Sequence, residues 1–536
     1  MREHGLLRSA GTVSAAVAVS RLTGMAREMI MARFFGAGEI YDAYLVGFRI
    51  PNLARNLFAE GALSAAFVPI FSQYLETRGP GEAKRLSDLT CTALLAVVGA
   101  FCAAGMFFAP ELVRLMAPGF EQTPAKFALS VQLTRIMFPF LVLVALAAQA
   151  MGVLNAAGRF GIPASASIFF NVGSVIAGVG LMRTVSASPI VCMAVGVLAG
   201  GALQLAWQLP SVWREGFSYR PRVDLSDPGL RRIAALMAPA FIGSAALQIN
   251  SMVSTYFASQ LTDAAGNVLN GPVSWMNYAF RFLQLPLGVF GVALASVTLP
   301  RIARSAAVSQ LEEFRGTLAQ SVGTALVFTV PSSIGLAILG ESMIALVYQG
   351  GRFHAADTRE TAASLACYSV GLAGYALIKI LAPAFYALGD ARTPMLVSVA
   401  SVILNAAISW TLVTRAGMGH PGLALSISMV ALLGAAALFE LLRRRIGGLD
   451  GRRIASSAIR ILAASALMAA ACLAAQRLHL APALNLAVSL PLGVAVFYGA
   501  ARVLRIREVE AIRTACYTPL RDAPRPEVGD PPARHR

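Results

Sequence analysis

The chain has 536 residues, of which 57% are hydrophobic and only 13% charged, and its mean hydropathy is +0.66. A soluble protein carries roughly 25% charged residues, so this composition excludes an ordinary soluble domain. Apolar runs of about 20 residues, long enough to cross a bilayer, recur from end to end and indicate an all-α polytopic membrane protein. The six cysteines are scattered without metal-ligand or disulfide spacing, so we expect neither a metal nor a cofactor.

Fourteen transmembrane helices are predicted from the apolar runs, taken in chain order. The first covers about 9–32, and the second, 41–75, is long and broken near Pro51, because proline removes a backbone donor and breaks a helix. The remaining predicted spans are 87–110, 127–156, 160–182, 189–213, 229–258, 272–300, 316–339, 361–388, 394–413, 419–442, 454–475 and 482–504.

A polar segment after the sixth span divides the chain. The predicted units are an N-lobe at 1–213, a cytoplasmic linker at 214–228, a C-lobe at 229–444, two further helices at 445–506 and a disordered cytoplasmic tail at 507–536. The two extra helices are apolar nearly all round, so they form either a groove for a long lipid tail or plain packing against the bundle. The tail is rich in Pro and Arg, a composition that cannot bury a core.

An internal repeat supports two equivalent lobes. The matches at one constant spacing are Ala62-Leu63 with Ala293-Leu294, Val68-Pro69 with Leu299-Pro300, Gly119 with Gly350, Gly158 with Gly389, and Pro163 with Pro394. These predict duplication of a six-helix unit. An even number of spans keeps both lobes in one orientation, which predicts a pseudo-twofold axis along the membrane normal and a substrate site between the lobes.

The net charge of +17 is a topology signal. Most of the 44 Lys and Arg residues fall in the tails and loops on one side of the predicted spans. Because cytoplasmic segments are enriched in Lys and Arg, both termini are predicted to be cytoplasmic. Topology accounts for the charge, and no nucleic-acid partner is expected.

Charged side chains inside the apolar spans carry the functional prediction, because burying one costs a few kcal/mol unless it faces water, a partner or a ligand. The candidates are Arg21, Arg27, Arg55 and Arg281 as substrate-binding cations, Asp42, Glu28 and Glu60 as gating or ion-pairing acids, and Arg49 and Lys379 as possible further cations. Arginine forks match phosphate oxygens and stay charged at any relevant pH. The set therefore predicts a cationic central cavity for a phosphate or diphosphate.

The arginines also have a structural interpretation. Arg21 and Glu28 are seven residues apart and share a helix face, so with Arg27 they could form an internal salt-bridge network. Arg281 has no acidic residue within two turns, which favours a ligand-facing role.

The other candidates leave alternatives open. Asp42 could pair with an arginine or act as a gate latch, and Glu60 could pair with Asn56 or an arginine. Arg49 and Lys379 could place their charges at the membrane interface while their stems stay in lipid.

Several motifs extend over nearly the whole chain except the tail. They are Ser20-Arg21 with Gly24 and Arg27, Phe35-Gly36-Ala37-Gly38, Asp42-Ala43, Pro51-Asn52-Leu53 with Arg55, Phe58-Ala59-Glu60-Gly61-Ala62, Phe67-Val68-Pro69, Val273-Ser274-Trp275-Met276 and Leu381-Ala382-Pro383. In these motifs the chain resembles the MviN/MurJ lipid II flippases of the multidrug/oligosaccharidyl-lipid/polysaccharide exporter superfamily.

The resemblance implies a lipid transporter rather than an enzyme, in the bacterial cytoplasmic membrane. It implies alternating access that moves lipid II, the undecaprenyl-diphosphate-linked peptidoglycan precursor, from the inner to the outer leaflet. The family's essential residues fall on Arg21, Arg27, Arg55, Arg281 and Asp42, and its lipid-tail groove falls on the last two helices. Membrane lipids are expected partners, with a monomer as the working unit and possible contact with the wall-synthesis machinery.

Three departures from the family pattern matter. Glu28 stands where an aspartate is usual, and Phe280 and Gln284 stand where some members have acidic residues. Some members bind sodium in the C-terminal lobe, but the seventh and eleventh predicted spans here, 229–258 and 394–413, have no interior carboxylate. We therefore predict no sodium site and expect the membrane potential to drive transport.

Other function classes stay open at this point. The substrate could be another polyprenyl-diphosphate-linked glycan, or the protein could be a non-transporting scaffold for wall synthesis. A membrane-embedded transferase or phosphatase is disfavoured by the lack of an Asp-rich metal motif, of paired catalytic carboxylates and of more than five histidines.

Overall fold

The protein is described here by a computed structural model, which covers residues 2–55, 63–288, 302, 304, 310–478 and 480–510. The helices of the N-terminal half are α1 (Arg2–Phe35), α2 (Glu39–Arg55), α3 (Ser64–Thr77), α4 (Gly79–Phe107), α5 (Ala109–Met116), α6 (Pro124–Met137), α7 (Phe140–Ala156), α8 (Gly161–Thr184) and α9 (Pro189–Arg214). Those of the C-terminal half are α10 (Pro228–Ser259), α11 (Pro272–Pro286), α12 (Leu311–Tyr348), α13 (Ala355–Ser369), α14 (Leu372–Ala387), α15 (Arg392–Thr414), α16 (Gly419–Arg445), α17 (Gly451–Gln476) and α18 (Pro482–Val503).

The all-helical, multi-pass prediction is confirmed. Across the described ranges, nine helical segments, with α6 and α7 counted together as Pro124–Ala156, are long and apolar enough to cross a membrane, or ten with the bent α13–α14 pair. The β-structure described there is limited to two isolated bridges, Thr262 with Val268 and Gly350 with Phe353. The count of fourteen spans stays a prediction, since part of the second and eighth predicted spans lies outside the described residues.

Several helix boundaries differ from the sequence prediction. Pro51 lies inside α2, which continues to Arg55, so the helix is not broken at Pro51; residues 56–62 lie outside the described residues. The helix α4 begins at Gly79, so the predicted loop at 76–86 is largely helical. The predicted span at 127–156 is one apolar segment, Pro124–Ala156, within which α6 and α7 meet at Phe138–Pro139, where proline interrupts the backbone hydrogen bonding.

Each lobe contains helices that pack closely through glycine. A Cβ at Gly196 of α9 would lie 2.4 Å from the Ser174 carbonyl oxygen of α8, and one at Gly200 would lie 2.6 Å from that of Phe170. In the C-lobe, a Cβ at Gly374 of α14 would lie 2.6 Å from the backbone of Ala431 in α16. Small residues let membrane helices approach at backbone distance, and this is how both lobes form a compact interior.

Two repeat anchors occupy similar places in the lobes. Gly158 follows α7 with φ 75°, and Gly389 follows α14 with φ 73°, a left-handed conformation that favours glycine. Each precedes the helix that contains its partner proline, Pro163 in α8 and Pro394 in α15. The matched segment 293–300 lies outside the described residues, and the pseudo-twofold axis remains a prediction.

The linker between the lobes lies along α4. Lys84 donates to the Ser218 carbonyl oxygen, the Arg220 amide donates to Asp88 at 3.0 Å, and the Arg222 amide donates to Thr92 at 3.3 Å. Each step of two residues along the linker therefore corresponds to a step of four residues along α4. Asp227 then accepts from the Gly229 and Leu230 amides and caps α10. Residues 507–510 are helical, and the rest of the predicted tail lies outside the described residues.

Candidate functional site

The central site is built around Glu28 of α1, which is 4% exposed. Its carboxylate accepts from the Tyr41 hydroxyl at 2.8 Å, from Arg27 Nη2 at 3.3 Å and from Arg281 Nη2 at 3.0 Å. Arg27 and Glu28 belong to the N-lobe, while Arg281 comes from α11 of the C-lobe. One carboxylate therefore joins two guanidinium groups across the interface between the lobes.

This arrangement gives the central site an excess of positive charge. Arg27 and Arg281 both form their ion pair with Glu28, so within the part of the chain that the structure describes one of the two positive charges has no negative partner of its own. The Arg281 side chain is 37% exposed, and Arg27 also lies over the Phe170 ring, 5.3 Å from its centroid. Forked donors with residual charge suit an anion that presents several oxygens.

Arg21 extends the cationic surface along α11. Its side chain is exposed, and Nη1 lies 3.4 Å from the carbonyl oxygen of Gln284. A Cβ at Gly288 would lie 1.8 Å from Arg21 Nη1, so glycine leaves room for the guanidinium. Arg21 therefore faces the C-lobe and does not pair with Glu28, as the shared helix face had suggested.

Asp42 lies at a second contact between the lobes, and it is fully buried. Its carboxylate accepts from Lys126 Nζ at 3.0 Å, from the Gly271 amide at 2.8 Å, and from the amide and hydroxyl of Ser274 at 2.9 and 2.6 Å. Asp42 thus caps the N-terminus of α11, which belongs to the opposite lobe. Its cationic partner is Lys126 rather than an arginine, and a gating role for Asp42 stays a prediction. We call this contact the Asp42 junction.

Backbone contacts complete the junction. The Arg352 amide donates to the Arg33 carbonyl oxygen at 3.0 Å. Gly36 has φ 67°, and a Cβ there would lie 2.3 Å from the Arg352 carbonyl oxygen. The two lobes therefore touch at backbone distance at this end of the molecule.

An aromatic layer separates the Asp42 junction from the central site. Tyr41, which donates to Glu28, stacks on Tyr278 at 5.1 Å between ring centroids, and Tyr278 also packs on Tyr348 and Phe353. The Tyr278 hydroxyl donates to the Gly36 carbonyl oxygen at 3.1 Å. Ser274, Tyr278, Arg281 and Gln284 follow one another at helical spacing, so a single stripe of α11 makes all these contacts with the N-lobe.

The remaining candidates occupy different places. Arg49 is half-buried and donates to Thr255 of α10, which places it at a contact between the lobes. Arg55 donates to Asn52, one turn earlier in α2, at 2.8 Å. Lys379 is exposed on α14 and close enough to Arg21 for their charges to repel. Glu60, with its proposed partner Asn56, lies outside the described residues.

Sequence reasoning missed two participants. Lys126 lies just before the predicted span at 127–156, which places it in a loop, yet it is the second residue after Pro124 in α6 and is fully buried. A cation in the first helical turn opposes the helix dipole, and that unfavourable position is the signal that could have marked it. Tyr41 is adjacent to Asp42, but nothing in its sequence context predicts that its hydroxyl reaches Glu28.

A large apolar cavity lies beside the central site, between α12, α17 and α18. Its volume is about 640 Å³, and its wall includes Leu336, Met468, Leu490 and Phe497. Pro286 of α11 also lines it, two residues beyond the Gln284 carbonyl that Arg21 contacts. An apolar space thus lies at the last two helices, while its use as a groove for a lipid tail stays a prediction.

These features define the class of the protein. It is a polytopic helical membrane protein in which two lobes meet around a basic site, with no group of three potential metal ligands among the described residues. Its fold is similar to that of a solved structure titled lipid II flippase MurJ, inward closed conformation, with a TM-score of 0.76 at 23% identity over 92% of this chain and 98% of that one. It is also similar to an inward-facing MATE family transporter of the MOP superfamily, with a TM-score of 0.66 at 14% identity over 80% of this chain and 94% of that one.

Sequence comparisons give the family. The family profile described as "Lipid II flippase MurJ" matches residues 31–490. The chain is 35% identical to the lipid II flippase MurJ of Burkholderia cenocepacia over 82% of its own length and 84% of the relative's. It is likewise 35% identical to the probable lipid II flippase MurJ of Rhizobium meliloti over 87% and 85%. The chain belongs to the MurJ family, so the resemblance and the prediction of a transporter rather than an enzyme are confirmed.

Proposed function

We propose that the protein is a flippase that moves lipid II across the cytoplasmic membrane by alternating access. The observation that carries the proposal is the pairing of Arg27 and Arg281, one from each lobe, with the single carboxylate of Glu28. A diphosphate entering the site offers more oxygens and more charge than Glu28 does. It would engage both guanidinium groups, and so bind both lobes at once.

The apolar cavity supports a lipid-linked substrate. A polyprenyl tail would lie between α12, α17 and α18, while its diphosphate reaches Arg21 past the rim at Pro286. Transferring an unaided diphosphate through hydrocarbon is prohibitively unfavourable. A cationic chamber beside an apolar groove removes that cost, because each part of the lipid keeps surroundings of its own polarity.

The orientation follows from the distribution of charge. The end of the bundle that carries the linker has Arg78, Lys84 and Arg85 on α4 or beside it, and Arg231 and Arg232 on α10. By the positive-inside rule this end faces the cytoplasm, as do both termini, and the Asp42 junction faces the outside. The junction then acts as the outer gate, closed in this structure. A monomeric working unit and contact with the wall-synthesis machinery remain predictions.

The test uses Arg27→Ala and Arg281→Ala in a bacterium depleted of its own lipid II flippase. We expect both variants to reach the membrane at normal levels and to fail to sustain growth. The matched control is Arg135→Ala, because Arg135 also belongs to a membrane helix but donates to the Met106 carbonyl oxygen within the N-lobe. That control should restore growth, whereas full rescue by both site variants would contradict the proposal.

A vesicle assay decides the substrate. Purified protein in lipid vesicles should expose lipid II on the opposite leaflet, and other polyprenyl-diphosphate glycans should compete weakly. A preference for another glycan would keep the transport mechanism and change the substrate. Absence of any translocation by folded protein would favour a scaffold.

A further inference from the structure

Lys126 is the buried cation of the Asp42 junction. Its side chain is 0% exposed, and its Nζ lies 3.0 Å from Asp42 Oδ2 and 2.9 Å from Asn270 Oδ1. The ammonium also lies over the Phe120 ring, 4.1 Å from the centroid. A carboxylate, an amide oxygen and an aromatic face therefore surround the charge, and together they can satisfy it.

The partners of Lys126 are divided between the lobes. Asp42 and Phe120 belong to the N-lobe, as Lys126 itself does, and α2 packs directly on α6. Asn270 precedes α11 and belongs to the C-lobe, together with the Gly271 and Ser274 groups that donate to Asp42. When the lobes separate, the C-lobe groups leave, and the Lys126–Asp42 pair stays together on the N-lobe.

We propose that Lys126 is a positioning residue that controls the opening of the Asp42 junction. In the closed junction it neutralises the buried carboxylate of Asp42 and donates a hydrogen bond to Asn270 of the C-lobe. In the open junction it remains as the counter-ion of Asp42, so the carboxylate is never left without a partner. This inference rests on the proposed alternating access and adds a residue outside the substrate site.

The two states depend unequally on this charge. Without Lys126, the closed junction buries a carboxylate that keeps the Gly271 and Ser274 donors but has lost its counter-ion, an unfavourable arrangement. The open junction exposes the same carboxylate to water, where a salt bridge contributes little. Removing the charge therefore shifts the balance toward the open junction.

The test is hydrogen–deuterium exchange of the full-length protein in lipid nanodiscs, read at the Gly271 and Ser274 amides. Both amides donate to Asp42 in the closed junction, so their exchange reports its opening without any substrate. Lys126→Met should accelerate both at least tenfold, and Lys126→Arg, which keeps the charge, should stay within about threefold of the wild type. The double variant Asp42→Asn with Lys126→Met should exchange more slowly than Lys126→Met alone, because neither charge is then buried unpaired.

A merely structural role gives a different pattern. If Lys126 only stabilised the fold of α6, Lys126→Met would accelerate amides around Val131–Leu133 as much as those of the junction, and this outcome would overturn the proposal. Unchanged exchange at Gly271 and Ser274 would also overturn it. If Lys126→Met does not fold, Asn270→Ala replaces it in the test, because this substitution removes only the C-lobe contact of Lys126. We then expect exchange at the Gly271 and Ser274 amides to be two to five times faster than in the wild type, and unchanged exchange would contradict the inference. Because the assay needs no lipid II, its result is independent of the transport test.

Discussion

Glu28 and Asp42 both join the two lobes through a carboxylate, but their surroundings differ. Asp42 is completely buried and accepts hydrogen bonds from one cation, Lys126, and from three donors at the N-terminus of α11. It lies where the backbones of the two lobes are in contact. Glu28 accepts mostly from flexible side chains and has two guanidinium groups, one of them 37% exposed. The Asp42 contact is neutral and geometrically fixed, which suits the proposed gate. The Glu28 contact has excess positive charge and adaptable donors, which suits the proposed binding site.

The largest expected effect comes from removing the Asp42 carboxylate. Asp42→Ala removes four hydrogen-bonded contacts and leaves Lys126 buried without its carboxylate, which should destabilise the closed junction by about 3–5 kcal/mol. Thermal unfolding of the purified protein, together with hydrogen–deuterium exchange at the Gly271 amide, measures this loss of stability. Ser274→Ala is the matched control, since it removes one hydroxyl donor and should cost about 1 kcal/mol. Equal effects of the two substitutions would remove the distinction between a charged latch and an ordinary hydrogen bond.

A smaller effect is expected from removing the charge of Glu28. Glu28→Gln keeps the size of the side chain and removes the charge that Arg27 and Arg281 share. We expect the folded protein to bind a diphosphate lipid more tightly, by roughly three- to tenfold, since a charge-assisted hydrogen bond that the ligand must displace is weakened. Titration with a fluorescent polyprenyl diphosphate in detergent checks this. Weaker binding by a stable variant would mean that Glu28 positions the arginines rather than competing with the ligand.

The smallest effect on stability is expected at Arg21. Its guanidinium is exposed and lies 3.4 Å from the Gln284 carbonyl oxygen, so Arg21→Ala should change the free energy of unfolding by less than about 0.5 kcal/mol. Transport in vesicles should nevertheless fall strongly if Arg21 receives the diphosphate beside the apolar cavity. A variant that loses both stability and transport would assign Arg21 to the structure instead.

The sequence predicts the helical architecture well, but it predicts poorly which charged side chains form ion pairs with each other. Hydrophobic length and the family motifs predict a helical membrane protein with arginines at its centre, and Arg27 and Arg281 do meet there. The pairing of Arg281 with Glu28 joins residues on different lobes, and no local spacing reveals such a contact. The assignment of Lys126 to a loop failed because a charged residue at the start of an apolar run usually marks the membrane surface. Here Asp42 draws it into the interior.

The linker contacts along α4 have a mechanical consequence. A two-residue step of extended chain advances about 6.6 Å, and a four-residue step of helix advances about 6 Å, so Ser218, Arg220 and Arg222 match Lys84, Asp88 and Thr92 without slack. Asp227 fixes the start of α10 immediately afterwards, where Gly229 packs on Tyr74 of α3. The connection is thus a rigid extension of the first lobe and not a flexible tether. If the lobes move against each other, as the proposed function requires, we expect the change to appear as bending within α10.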